Sequence, residues 1–138
     1  MRFEILENQE SKNFIKENDS FKNILKDPFI IEWLGENNVK LYLLFNSENA
    51  LVSFGMSTVL KKDPLKTHVN PVYLNYIYTF EKYRRKGYAY YIACELKKIE
   101  NITVFCTDDI SQNLFKKADY IFKSKDPLYQ SLPIYRFP

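Results

Sequence analysis

A chain of 138 residues with 46% apolar and 17% aromatic side chains is long enough to bury one core and too apolar to be disordered. Its formal net charge of +3 fits an anionic ligand without demanding nucleic acid. No run reaches the roughly 18 consecutive apolar residues of a membrane span, and the start, Met1-Arg2-Phe3-Glu4-Ile5-Leu6-Glu7, has no apolar core of signal-peptide type.

Residues 2–7 read as a first strand, and 11–17 and 20–26 as two short helical stretches carrying Phe14, Ile15, Phe21, Ile24 and Leu25. Asp27-Pro28 starts another helix, because Asp is a good N-cap and Pro suits the first helical position. Phe29, Ile30, Trp33 and Leu34 form its apolar side, and Gly35 stops it. Val39 to Phe45 and Ala50 to Leu60 make a hairpin across Asn46-Ser47-Glu48-Asn49, with Gly55 marking a bulge or a close backbone approach.

A polar connection over 61–71 holds His68, the only histidine. With no second histidine and no cysteine cluster, no metal site is expected. Val72 to Phe80 is aromatic and β-branched, the composition of a strand. The helix after it carries Ala89, Ile92, Ala93, Leu96 and Ile99 on one face. Cys94 within that helix and Cys106 near the end of the next strand (101–107) form no C-x-x-C pair, so two reduced thiols in a cytoplasmic protein are expected. Asp108 or Asp109 caps the following helix, with Gln112 placed as in a capping box after Asp109. Ile110, Leu114, Phe115 and Ala118 line its inner side. Residues 120–123 and 134–137 read as the last two strands, and no repeat or linker divides the single domain 1–138.

The junction between the Tyr-rich strand and its helix is the most informative stretch. It reads Arg84-Arg85-Lys86-Gly87-Tyr88-Ala89, and it contains one of only three glycines in the chain. A helix start has free N–H groups and the positive end of the dipole, so it attracts anions. Three adjacent cations oppose that dipole and call for an anion to offset them. The junction reads as a pyrophosphate cradle.

Here the chain resembles the GCN5-related N-acetyltransferase superfamily, whose acetyl-CoA signature is Gln/Arg-x-x-Gly-x-Gly/Ala between the fourth strand and the next helix. Arg84, Gly87 and Ala89 fill its three defining positions. The resemblance implies an α/β (α+β) fold with a mixed, mostly antiparallel sheet flanked by helices and splayed between strands four and five. It also implies acetyl-CoA as co-substrate. Ile77, Tyr78 and Thr79 would pair through their main chain with the pantetheine amides, Arg84 through Ala89 (with Arg85, Lys86, Gly87 and Tyr88) would hold the pyrophosphate, and Phe115 would stand where many members have a tyrosine near the thioester sulfur.

The catalytic groups are not named by the sequence. Phenylalanine cannot donate a proton, and Val72 to Phe80 contains no carboxylate to serve as a base. Tyr120 and Asp108 are substitute proton donors, with a core aromatic and a helix cap as their plainer roles. Glu32, Glu36, Asp63 and Asp126 are carboxylates that a cationic acceptor could meet, or simply solvated surface groups. The reading is an N-acetyltransferase moving an acetyl group to a primary amine of a small molecule, peptide or protein. A non-catalytic acyl-CoA-binding module and a small nucleic-acid binder are the alternatives; homodimerisation stays open, and no membrane partner is expected.

Overall fold

The computed structural model describes residues 1–60, 71–99, 102–106, 108–126 and 132–136, with backbone alone for 105, 124–126 and 132. Among these residues seven strands form one sheet: β1 (Arg2–Glu7), β2 (Lys40–Phe45), β3 (Leu51–Val59), β4 (Val72–Thr79), β5 (Ile102–Phe105), β6 (Ile121–Asp126) and β7 (Leu132–Arg136). Their spatial order is β1-β2-β3-β4-β5-β7-β6, and every neighbouring pair is antiparallel except β4–β5. Parallel neighbours need a crossover, which α3 (Tyr88–Ile99) supplies. The remaining helices are α1 (Asn8–Glu17), α2 (Pro28–Leu34) and α4 (Asp109–Lys117). The expected mixed, mostly antiparallel α/β fold is observed.

Two apolar layers cover the sheet. Alternation along β2 sends Leu41 and Leu43 into one layer with Ile15, Phe21, Ile30 and Trp33, under α1 and α2. It sends Tyr42 and Leu44 into the other, with Ile92, Leu96 and Phe115 of α3 and α4. Trp33 fixes α2 by donating its indole N–H to the Ser57 carbonyl at 3.0 Å, and Asp27 caps that helix through Phe29 N–H at 2.9 Å.

Several local expectations shift. α1 starts at Asn8 rather than 11. The stretch 20–26 is not an α-helix: Asp19–Phe21 is one 3₁₀ turn, because the Asn18 side chain accepts from Ser20 N–H and competes with helical bonding. The capping box of α4 is Asp108 with Ser111, the third residue beyond it, and not Asp109 with Gln112. Gln112 instead accepts the Tyr135 hydroxyl at 3.0 Å. Phe29, Ile99 and Ile110, placed on inner faces by periodicity, are 60%, 52% and 80% exposed. No close approach demands a glycine at 55, since a Cβ there would make ordinary contacts at 3.5 Å. The 61–70 connection, with Asp63 and His68, lies outside the described residues.

One irregularity positions the site. β3 and β4 pair Ser57 with Leu74 and Met56 with Tyr76, leaving Asn75 as an extra residue. This bulge reverses the alternation: Leu74 and Ile77 face the α3 side, whereas Tyr76 and Tyr78 face the α2 side. Pairing of β4 with β5 runs only from Val72 to Leu74. From Asn75 to Thr79 the sheet is parted, and Asn75 Oδ1 is buried there with no hydrogen-bond partner, a cost carried where the sheet opens.

Candidate active site

The parted edge of β4 offers a definite set of backbone groups. Phe80 N–H donates to the Val52 carbonyl at 3.1 Å, so by strand alternation Tyr78, two residues back, also turns its main chain toward β3. Ile77 and Thr79 therefore direct their N–H and C=O groups to the side that β5 has left. The Thr79 carbonyl is taken by Arg84, whose Nε donates at 2.9 Å. Beneath it, Ser53 binds the Tyr78 carbonyl at 2.8 Å and the Thr79 hydroxyl at 2.9 Å. The end of the strand is thus held rigid from both sides.

The loop that follows turns sharply into α3. Glu81–Tyr83 make a single 3₁₀ turn, and Arg84 folds back with its guanidinium 5.3 Å from the Tyr78 ring centre. Arg85 and Gly87 adopt left-handed φ angles of +66° and +81°. For Gly87 that conformation costs little, and open space lies where a Cβ would stand. For Arg85 it is strained, the kind of conformation that persists at binding loops. The result presents the first turn of α3: Tyr91 N–H bonds the Gly87 carbonyl at 3.0 Å, and the N–H groups before it have no acceptor within the helix.

In front of that turn lies a cleft of about 330 Å³. Six of the ten sequence-derived site residues line it: Thr79, Arg84, Arg85, Gly87, Tyr88 and Ala89. Ile77 lies on the parted edge, the Tyr78 ring stacks on Tyr76 at 6.0 Å on the α2 side, and Lys86 is exposed beside the loop. Phe115 is 1% exposed inside the core, edge-on to Tyr120 at 5.0 Å. Its neighbour Leu114 lines the cleft instead, with Lys117 and Tyr90. Sequence reasoning missed Tyr90 and Lys117; the signal was the i, i+3 spacing of Lys117 from Leu114 and of Tyr90 from Gly87.

Among the described residues, no carboxylate forms an ion pair with Arg84, Arg85, Lys86 or Lys117. Three of these cations, Arg84, Arg85 and Lys117, line the cleft, and their summed charge gives it a positive potential.

The proton donors considered from sequence are engaged elsewhere. Tyr120 is buried, its hydroxyl donates to the Ala93 carbonyl at 3.0 Å, and burial pushes its pKa up. Asp108 caps α4, and the bonds from Ser111 hold its carboxyl below the usual range. Burial raises the Cys106 thiol to about 11, so it is no ready nucleophile. Glu32 and Glu36 are exposed. A carboxylate the sequence reading treated only as a cap reaches β4: Asp27 Oδ2 accepts the Tyr76 hydroxyl at 3.3 Å. Burial, then the Asp27 charge and bond, raises Tyr76 to about 12. Among the described residues, no three His, Cys, Asp or Glu side chains converge as metal ligands, and no helix is long and apolar enough to cross a membrane.

No protein-family model and no curated protein sequence matches this chain. Solved structures do. The chain is similar to GCN5 of Tetrahymena, with a TM-score of 0.67 at 15% identity, covering 99% of this chain and 95% of that one. Arabidopsis thaliana NAA60 in complex with acetyl-CoA matches with a TM-score of 0.55 at 13% identity, over 99% of this chain and 98% of that one. The aminoglycoside 6'-N-acetyltransferase AAC(6')-Ih from Acinetobacter baumannii matches with 0.58 at 12% identity, over 87% and 91%. Element order, the parting of β4 from β5 and these likenesses agree: the chain has the fold of the GCN5-related N-acetyltransferase superfamily.

Proposed function

We propose that the protein is an acetyl-CoA-dependent N-acetyltransferase that acts on a primary amine by direct attack in a ternary complex. The observation that carries this reading is the junction of a parted strand edge with a strained, cationic helix start. Together they suit a ligand with a strand-like amide arm at one end and phosphates at the other. The residues present fit such a ligand. The outward N–H and C=O of Ile77 and the N–H of Thr79 can pair with an extended amide arm as an added strand would. The first-turn amides of α3, Arg85 and Gly87 can receive a diphosphate, and Arg84 holds the two parts in fixed relation.

When bound, acetyl-CoA supplies a thioester carbonyl open to attack by an amine. The chain's contribution is chiefly positional: two reactants held in a fixed cleft react as if at high effective concentration, which can supply about 7–11 kcal/mol of the barrier. Among the described residues, no carboxylate, histidine or cysteine lines the cleft to serve as a base, whereas Tyr88 and Lys117 bring proton donors to it. The amine therefore enters neutral or yields its proton to water, and the departing thiolate takes one from water or from a donor of the cleft wall. General-base assistance, about 10²- to 10⁴-fold where a group is well placed, is forgone.

Calorimetry with CoA, followed by a panel of amines assayed for CoA release, tests this reading. Binding with amine-dependent release supports it. No CoA binding by the wild-type protein would sink it. The engagement of Tyr120 and the burial of Phe115 favour a second reading, a non-catalytic acyl-CoA-binding module. Tight acetyl-CoA binding with no amine-dependent release would select that one.

A further inference from the structure

The diphosphate loop leaves one cation of the cleft without a role. Lys117 stands on α4, not on the loop that carries Arg84 and Arg85, and lines the cleft together with Leu114. Its Nζ lies 4.8 Å from the centre of the Tyr90 ring. The acidic residue next along the chain from α4, Asp119, pairs with Lys97 at 3.6 Å, and among the described residues Lys117 has no ion-pair partner.

Cations around one cleft repel each other unless an anion lies among them. A diphosphate on the first-turn amides of α3 is met by Arg85, while Arg84 is held on the Thr79 carbonyl. Lys117 comes from a different element and is held by an aromatic face and not by a carboxylate. An ammonium over a ring keeps its full charge and gains some desolvation, which suits a point-charge contact with a phosphate monoester.

Resting on the reading of this cleft as the CoA site, we propose that Lys117, seated on Tyr90, forms a second phosphate site that takes the 3′-phosphate of the CoA ribose. The protein then selects CoA over its 3′-dephospho form. The monoester carries about −1.5 to −2 charges at neutral pH, more than either phosphate of the diphosphate, so removing it or its lysine should show clearly.

The test is calorimetry of CoA and 3′-dephospho-CoA on the whole chain, as wild type, Lys117→Gln, Lys117→Arg and Lys116→Gln. Wild type should bind CoA about tenfold more tightly than the dephospho form, the size expected of one charge-assisted contact. Lys117→Gln should remove that preference by weakening CoA alone, and Lys117→Arg should retain it. Lys116→Gln, on an exposed neighbour, should leave both affinities unchanged. Equal affinity of wild type for the two ligands overturns the proposal, as does an equal loss for both in Lys117→Gln or the same loss in Lys116→Gln. Binding of neither ligand by wild type instead removes the CoA reading, and this proposal with it.

Discussion

The two halves of β4 are one strand in sequence and two different objects in space. Val72 to Leu74 is paired to β3 on one side and β5 on the other, and Leu74 is 4% exposed in the core. Ile77 to Thr79 is paired to β3 alone. The residue between them, Asn75, is the bulge. The first half behaves as ordinary sheet interior, where every main-chain group is spent on neighbours. The second half keeps the outward groups of Ile77 and the Thr79 N–H unspent, braced from behind by Ser53 and from the end by Arg84 on the Thr79 carbonyl. The contrast shows how a fold can keep an open edge without fraying it.

Mutations that separate the halves should separate stability from binding. Leu74→Ala should cost about 2–5 kcal/mol through a core cavity, read as a lower denaturation midpoint. The protein that remains folded should bind CoA as before; a loss of affinity at full folding would break the distinction. Proline at successive positions probes the open edge. Tyr78→Pro removes a ladder donor and orphans the Phe54 carbonyl, costing about 1–3 kcal/mol. Ile77→Pro deletes an N–H that faces no strand, so it should spare more of the stability while weakening CoA binding. Equal stability losses for the pair would show that Ile77 is not on an open edge.

Phe115→Tyr adds a hydroxyl to a filled core site rather than a proton donor to the cleft. It should destabilise by about 1–3 kcal/mol and leave kcat unimproved; a faster enzyme of unchanged stability would place Phe115 near the chemistry after all. Arg85→Gly should do the opposite to stability. Relief of the left-handed strain gains up to about 1 kcal/mol, partly offset by the freer unfolded chain, while CoA affinity falls. A variant that is less stable and binds equally well would contradict both halves of that expectation.

The smallest effect concerns pH. The Tyr76 hydroxyl is raised from 10.0 to about 12, so its contribution to stability is complete below pH 10 and is lost as pH climbs through about 12. Tyr76→Phe should flatten part of the alkaline fall in melting temperature, the rest belonging to Tyr120, whose pKa is also raised. An unchanged alkaline profile would mean that neither burial nor Asp27 raises the Tyr76 hydroxyl in the folded protein.

Much of this architecture was legible in the residues themselves. Period-two and period-3.6 patterns placed the strands and principal helices within a few residues, and Asp27-Pro28 located a helix start that the structure caps as expected. The cationic Gly87 junction was visible because one of three glycines and three adjacent cations fall together where a strand gives way to a helix. The segment 20–26 was misread because the competing Asn18 side-chain bond leaves no trace in apolar spacing.

What the chain by itself determined was local: which segments bury a face, where helices begin, and where an anion is attracted. Only the tertiary structure decided which partners those segments meet. It put an extra residue at Asn75 and so reversed the faces of the tyrosines beyond it. It buried Phe115 and turned Leu114 and Lys117 into the cleft, and it carried Asp27 to Tyr76 across 49 residues of sequence. Periodicity reports the direction of a side chain relative to its own element. Register, bulges and the packing of one element on another fix what stands opposite it, and those depend on the whole chain at once.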